Sequence, residues 1–289
     1  MSTVLRTLAR AKVNLGFEVL GRRPDGYHEV RTVLATISLA DRLEVEPAGR
    51  LVVKSSRPGL GGEADLVYRA ARLLFEAAGW AGGAELRVEK RIPVAAGLGG
   101  GASDAAAALR LLRRLLRLDL AEADLCRLAA RLGADVPFFI RGGVALAGGR
   151  GDELQPLPDL PPWAVVVGLD REGPADKTRR AYATLGPAQW SSGEGVIDLA
   201  EGLVRGRWTP DQAPPNAFEA VAGQLYPGID QLKARFLAAG ARWVTLAGAG
   251  PAVFTVEPDP VRARRIARGL RATGLRVFLC RFTPRLRRL

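Results

Sequence analysis

The residues of this 289-residue chain best suited to chemistry lie in Pro93-Val94-Ala95-Ala96-Gly97-Leu98-Gly99-Gly100-Gly101-Ala102-Ser103-Asp104, between a strand-like segment and an amphipathic helix. Glycines let the backbone come close to a bulky anion, and the free N–H groups at a helix start, at the positive end of its dipole, point at that anion. Phosphate is the natural guest. A merely flexible loop is the bland alternative, but it does not explain four glycines set against a well-formed helix. On the phosphate reading, a side chain at Gly99 or Gly100 is expected to obstruct a triphosphate. The loop lacks the Gly-Lys-Ser/Thr ending of a Walker A loop. Gly97-x-Gly99-x-x-Ala102 fits the loose dinucleotide pattern, yet the acid that pattern needs about 20 residues later would be Asp119, which falls between two helical stretches. Protein-kinase signatures, His-Arg-Asp and Asp-Phe-Gly, are absent.

A phosphate site needs partners that move protons and stabilise charge. Lys12 lies in the alternating segment Ala11 to Leu20, and Asn14, two residues on, shares its strand face. Asp135 follows Gly133, precedes Pro137 and adjoins Phe138-Phe139, an apolar setting for a carboxylate. Hydroxyls are weak nucleophiles at neutral pH, so a carboxylate that takes the proton and a cation that meets the developing charge would both be useful. Read alone, each of these two is more often a solvated surface charge. His28 is the only histidine, and one histidine cannot make a metal site. Cys126 and Cys280 have neither metal-ligand spacing nor disulfide density and read as inert.

These residues need elements to hold them. Alternation over 11–20 and 42–46 predicts half-buried strands, making the first third mostly sheet. Apolar spacing predicts a helix over 65–78, stopped by Gly79, then a strand over 84–91. From Ser103 to Leu118, Leu109, Leu112 and Leu116 share one helical face and Arg110, Arg113, Arg114 and Arg117 the other. A helix over 121–132 ending at Gly133 and a strand over 136–147 follow. The proline-rich run Gln155 to Pro162 reads as an interdomain linker, because proline joins neither a central ladder nor a helix interior. Beyond it, a strand at 163–167, helices at 228–240 and 259–273, and strands at 243–247, 252–256 and 275–282 alternate as an open-faced α/β layer.

Composition bounds the rest. With 48% hydrophobic and 25% charged residues, the chain can bury one large or two medium cores. No apolar run reaches the ~20 residues of a membrane helix, and Met1 to Arg6 has no secretory core, so a cytoplasmic protein is expected. The net charge of +12 invites a nucleic-acid reading, but it divides as +5 up to residue 157 and +7 after it, with only the tail Arg285-Leu286-Arg287-Arg288 clustered. No nucleic-acid partner is expected, whereas attraction of a small anionic substrate fits.

Together with Ala11-Lys12-Val13-Asn14-Leu15, Arg23-Pro24-Asp25-Gly26-Tyr27-His28-Glu29 and Leu246-Ala247-Gly248-Ala249-Gly250-Pro251-Ala252-Val253-Phe254, the glycine loop resembles the motifs of the GHMP kinase family, and the likeness runs nearly end to end. The resemblance implies a two-domain α/β fold. Residues 1–157 would form a ribosomal-S5-like nucleotide-binding domain and 158–289 a ferredoxin-like domain, with the active site in the cleft. It implies transfer of the ATP γ-phosphoryl group, with magnesium held by phosphates and water rather than by an assigned protein ligand. Lys12 and Asp135 become catalytic, and Asp65, Lys90 and Pro93 through Ser103 (Val94, Ala95, Ala96, Gly97, Leu98, Gly99, Gly100, Gly101 and Ala102 included) bind ATP. Asp25-Gly26-Tyr27-His28 resembles the branch whose acceptor is the tertiary 2-hydroxyl of a cytidyl diphosphate intermediate of isoprenoid synthesis. Asn14, Tyr27, His28, Asp135 and Tyr182 would then bind substrate, His28 reading the cytosine edge, with Tyr182 as a second stacking face or a core tyrosine. A homoserine or mevalonate-type kinase and an inactive RNA-binding relative are the alternatives. The sequence departs from the family at Ala102, Ala247 and Ala249, where hydroxyl residues are usual, and at Asp65, usually asparagine, where a carboxylate only accepts hydrogen bonds.

Overall fold

The structure, a computed structural model, describes residues 4–174 and 176–286; Arg287 and Arg288 of the basic tail, and Met1 to Thr3, lie outside them. In chain order the elements are β1 (Leu5–Arg22), β2 (His28–Ala48), β3 (Val52–Ser55), α1 (Leu66–Ala78), β4 (Gly83–Glu89), α2 (Gly100–Leu115), α3 (Glu122–Ala130), α4 (Val136–Arg141), β5 (Val144–Gly148), β6 (Glu153–Leu157) and β7 (Ala164–Leu169). They continue with α5 (Lys177–Thr184), α6 (Glu194–Val204), α7 (Ala222–Leu225), α8 (Ile229–Ala238), β8 (Thr245–Leu246), β9 (Val253–Glu257), α9 (Pro260–Ala272) and β10 (Arg276–Arg281). No described helix is long and apolar enough to cross a membrane.

The chain divides into two compact units that do not follow a single cut in sequence. One holds residues 4–11, Leu39–Pro93 and Gly99–Arg141; the other holds Lys12–Ser38, Val94–Leu98 and 142–286. The long paired strands β1 and β2 each contribute to both.

In the first unit, β2 pairs antiparallel with β4 from Arg42↔Glu89 to Ala48↔Gly83, and β4 pairs parallel with β3. α1 packs on α2, and α2 on α3 and α4. α2 can pack closely because Ala105, Ala106, Ala107 and Ala108 bring its backbone near its neighbours, and all four are buried. Asp65 caps α1, its Oδ1 accepting from Val67 N at 2.8 Å, and Gly79 in the left-handed conformation closes the helix as the spacing predicts.

The second unit contains the antiparallel ladder of β2 (Thr32 to Ala35), β5 and β6. Its other sheet is antiparallel in the order β10-β7-β9-β8. The succession β7-α8-β8-β9-α9-β10 with β7 and β9 central is the split βαβ arrangement of a ferredoxin-like domain. Phe236, Phe254, Ile266 and Leu270 are fully buried around it.

Three expectations about local structure are corrected. The segment 136–147 is helix, turn and strand rather than one strand. Pro137 sits in the first turn of α4, where its missing N–H costs nothing, and Gly142 and Gly143 (φ 63° and 77°) end the helix before β5. Pro156 is not in a linker: it lies in β6, opposite Ala145, and an edge strand tolerates it. α2 begins at Gly100 rather than Ser103, which places two of the loop's glycines in the helix's first turn.

Candidate active site

In the second unit the three glycine and lysine motifs meet. The Lys12 side chain is 5% exposed, and its ammonium donates to Asn14 Oδ1 at 2.7 Å and to the Gly97 carbonyl at 2.9 Å. Asn14 is turned for this by Thr32, whose Oγ1 accepts from Asn14 Nδ2 at 2.8 Å and donates to the Gly16 carbonyl at 2.6 Å. The chain of donors leaves Asn14 Oδ1 facing Lys12, so Asn14 aims the lysine. The loop's first half is stitched down on several sides. Lys12 N donates to Leu98 O at 3.0 Å, Val94 N to Glu172 Oε1 at 3.2 Å, and Ala252 N to Ala96 O at 3.2 Å. Pro93 leads into this half, and Ala95 adopts a left-handed φ of 50°, uncommon for a residue with a side chain.

Close approach explains two of the glycines. A Cβ on Gly97 would lie 1.9 Å from the Ala247 carbonyl oxygen, and one on Gly248 would lie 3.0 Å from Asn14 Oδ1 and 3.2 Å from Lys12 Nζ; both residues also have positive φ. Here the glycines serve contact between the two loops before they serve any ligand.

The second half of the loop, in the first unit, opens α2. Gly99 caps the helix in the left-handed conformation with no side-chain hydrogen bond, leaving its first N–H groups without a cap. A Cβ on Gly100 would come within 3.0 Å of Ile92 Cγ2 and 3.4 Å of Lys90 Nζ, whereas one on Gly101 would meet nothing within 4 Å. A side chain at Gly100 would therefore press on Ile92 and Lys90, so a substitution there would mix packing with any effect on triphosphate. Ala102 follows, and Ser103 is buried in the same turn.

Lys90 lies beneath this turn, buried between Asp41 and Asp104, with its ammonium hydrogen-bonded to Asp41 Oδ2 and, at 2.6 Å, to Asp104 Oδ2. Burial opposes its charge, but the two carboxylates more than offset that and raise its pKa. Asp104 carries the strain of the trio. Burial, then the neighbouring Asp41 charge, push its pKa well above the usual carboxylate range despite Lys90, and its Oδ1 is buried with no hydrogen-bond partner among the described residues. Asp65 has both oxygens occupied by backbone, Oδ1 by Val67 N and Oδ2 by Gly61 N at 2.9 Å. Asp135 ends the turn before α4, half-buried, with no hydrogen-bond or ion-pair partner among the described residues. No group of three or more His, Cys, Asp or Glu side chains suited to a metal ion occurs among the described residues.

The Asp25-Gly26-Tyr27-His28 run forms the turn joining β1 to β2, closed by Arg23 N to Tyr27 O at 2.8 Å. Tyr27 is 56% exposed and carries the Arg150 guanidinium 5.0 Å from its ring centroid. His28 stacks on Tyr182, centroids 4.8 Å apart at 22°, and Tyr182 stands edge-on to Phe218 at 5.2 Å. Burial, then the charge of Arg22, lower the His28 pKa, so the ring is neutral near pH 7 and offers one donor and one acceptor. Asn216, Glu219 and Tyr226, which hold the 246–250 loop, were not among the residues expected from sequence. A lone Asn after two prolines carries no motif signal; the Asx cap before Phe218 is its only local trace.

The family model described as GHMP kinases N terminal domain matches residues 65–143, and GHMP kinases C terminal matches 199–275. A relative from Dehalococcoides mccartyi, named 4-diphosphocytidyl-2-C-methyl-D-erythritol kinase, is 41% identical over 277 residues, 96% of this chain and 97% of its own. A crystal structure titled 4-(cytidine 5'-diphospho)-2C-methyl-D-erythritol kinase superposes with a TM-score of 0.81 at 42% identity, covering 96% of this chain and 99% of that one. A homoserine kinase from Cytophaga hutchinsonii shares the fold, with a TM-score of 0.76 at 20% identity over 98% of this chain and 95% of its own.

Two outcomes test the site. A Cβ at Gly101 has open space, so in Gly101→Val the melting temperature should hold while ATP affinity in calorimetry falls about tenfold, ~1.4 kcal/mol; unchanged affinity would mean that the start of α2 takes no phosphate. Because burial raises its pKa above the usual carboxylate range, Asp104's contribution to stability is greatest at low pH and is lost as pH rises. Asp104→Asn should therefore gain in melting temperature relative to the unmodified protein between about pH 5 and 8, whereas parallel curves would place the Asp104 pKa at its ordinary value.

Proposed function

The chain belongs to the GHMP kinase family, and from that premise we infer that it transfers the γ-phosphoryl group of ATP to the tertiary 2-hydroxyl of 4-diphosphocytidyl-2-C-methyl-D-erythritol, in the methylerythritol phosphate route to isoprenoid precursors. The observation that carries the reading is the meeting of three motifs on one buried ammonium, with Lys12 bonded to Gly97 and Asn14 and faced by Gly248. The neighbouring Asp25-Gly26-Tyr27-His28 turn favours a cytidyl acceptor over the homoserine or mevalonate-type alternatives, for which the homoserine kinase likeness speaks to fold alone. Separate N- and C-terminal family matches, over 65–143 and 199–275, support two sequence domains with the boundary between them, for which residue 157 is our placement.

In the proposed step the 2-hydroxyl oxygen attacks the γ-phosphorus as the bond to the ADP oxygen breaks, and the hydroxyl proton passes to the Asp135 carboxylate, which has no competing partner among the described residues. Lys12 offsets negative charge that gathers in the transition state. Its amide and carbonyl partners hold the ammonium in place beforehand, so little reorganisation accompanies transfer. The start of α2 is offered to the triphosphate, with Lys90 beside it. Magnesium accompanying ATP would be held chiefly by the triphosphate and water. Neutral His28 matches cytosine, whose amine donor and ring-nitrogen acceptor are adjacent. With one face of the imidazole on Tyr182 and the guanidinium of Arg150 on Tyr27, the exposed Tyr27 ring is the better stacking surface for the base.

Purified protein with ATP, magnesium and the cytidyl substrate should give the 2-phosphate by phosphorus NMR, with homoserine and mevalonate unreacted; reaction of homoserine or mevalonate alone would move the assignment to that kinase. Asp135→Asn should lose roughly 10²–10⁴-fold in kcat, and Lys12→Met about 10²-fold or more, with ATP affinity kept; a near-normal rate in either removes that residue from the mechanism. The cytidyl substrate should be used at least about tenfold better than its uridyl analogue, since each mispaired buried group costs ~1–3 kcal/mol, and His28→Ala should narrow that ratio. Equal use of both bases by the unmodified protein would refute His28 as the base reader.

A further inference from the structure

We propose that Asn216 is a positioning residue for phosphoryl transfer, holding the 246–250 loop against Lys12. The inference rests on the kinase reading and extends it to a residue outside the motifs. Every polar atom of its carboxamide is engaged. Nδ2 donates to the carbonyls of Leu246 at 3.1 Å and Gly248 at 3.0 Å, and Oδ1 accepts from Phe218 N at 3.0 Å. Two further groups brace the same loop: Glu219 Oε1 accepts from Leu246 N at 2.8 Å and Thr245 Oγ1 at 2.7 Å, and Tyr226 Oη donates to the Ala249 carbonyl at 2.6 Å. Asn216 alone among these grips carbonyls on both sides of Ala247.

The Ala247 carbonyl stands against Gly97, whose own carbonyl accepts from Lys12, and Gly248 stands against Lys12 Nζ and Asn14 Oδ1. The Leu246 and Gly248 carbonyl directions set the peptide planes around Ala247 and Gly248, so releasing them lets the loop rotate within contact range of the ammonium. Asn216 is itself anchored to the strand that carries Lys12: it bridges Phe17, and Phe17 N donates to Pro215 O at 2.7 Å. Its clamp thus fixes the loop in the frame of β1.

Asn216→Asp separates this role from helix capping. The carboxylate keeps the acceptor for Phe218 N, but has no donors and sets an oxygen against two carbonyl oxygens. Asn216→Ser likewise keeps a capping hydroxyl and cannot bridge both carbonyls. With assays run well below each variant's melting temperature, both should lose about 10- to 100-fold in kcat, while KM for ATP and the cytidyl substrate stays within about threefold. Hydrogen–deuterium exchange should rise in the peptide spanning 245–252 and stay unchanged in α9. If Asn216 only caps, the folded variants will match the unmodified kcat within about twofold, and the inference fails while the kinase reading stands. Loss of cooperative melting in both variants would make Asn216 a folding residue and also overturn it. Absence of turnover in the unmodified protein would overturn the kinase reading and this inference together.

Discussion

The backbone at Gly97 runs so close to the Ala247 carbonyl that no side chain fits between them, and the remainder of the second unit's site is arranged around that contact. It brings the phosphate-type loop and the 246–250 loop to the same place, and it sets the Gly97 carbonyl where Lys12 can donate to it. Lys12, at 5% exposure, has Asn14 Oδ1 and the Gly97 carbonyl among its polar partners, as a buried ammonium requires. The glycine content of both loops follows from this packing. Gly97 and Gly248 are required by the protein's own atoms, whereas Gly101 has open space and is the position where a ligand is the remaining reason for small size.

Lys12 and Lys90 differ in what surrounds their ammonium groups. Lys12 has an amide and a carbonyl oxygen, Asn14 Oδ1 and Gly97 O, among its partners. Lys90 is bound to two carboxylates, and that trio ties the end of β4 to α2. Asp41 extends the tie by accepting from Ile92 N at 2.8 Å. α2 is capped by glycine rather than by Ser, Thr or Asp, so its first N–H groups have no capping side chain of their own to satisfy them.

Much of the fold was legible where periodicity and punctuation coincide. Asp65 and Gly79 bracket α1 at the residues the sequence marks, and the alternation in β1 puts Lys12 and Asn14 on one face. The glycine run was legible as a site but not as a division of labour, because nothing local distinguishes a glycine that meets Ala247 from one that meets open space. Val136 to Arg141 reads as strand by its bulky side chains, and only the first-turn tolerance of Pro137 and the Gly142-Gly143 break make it a helix. α5 and α6 escaped because the stretch from Asp170 to Asn216 has short apolar runs and frequent prolines and glycines. Asn216 could not be found by type or spacing; its partners lie 30 and 32 residues away, and their geometry exists only after β1 and the C-terminal sheet have formed.

Asn216 also joins the two halves of recognition within this unit. Its Oδ1 fixes Phe218 N, Phe218 meets Phe17 at 5.2 Å on one side and the edge of Tyr182 at 5.2 Å on the other, and Tyr182 stacks on His28. From its other end the same carboxamide reaches the loop against Lys12. His28 and Lys12 are therefore set in one continuous network of hydrogen bonds and ring contacts rooted on β1, with rigid aromatic links of few rotatable bonds. A substrate that carries its reacting hydroxyl and its cytosine on one molecule needs those two ends held at a constant separation, because error in either spoils alignment at the other. Anchoring both to one strand and one side chain meets that need without any mobile element between them.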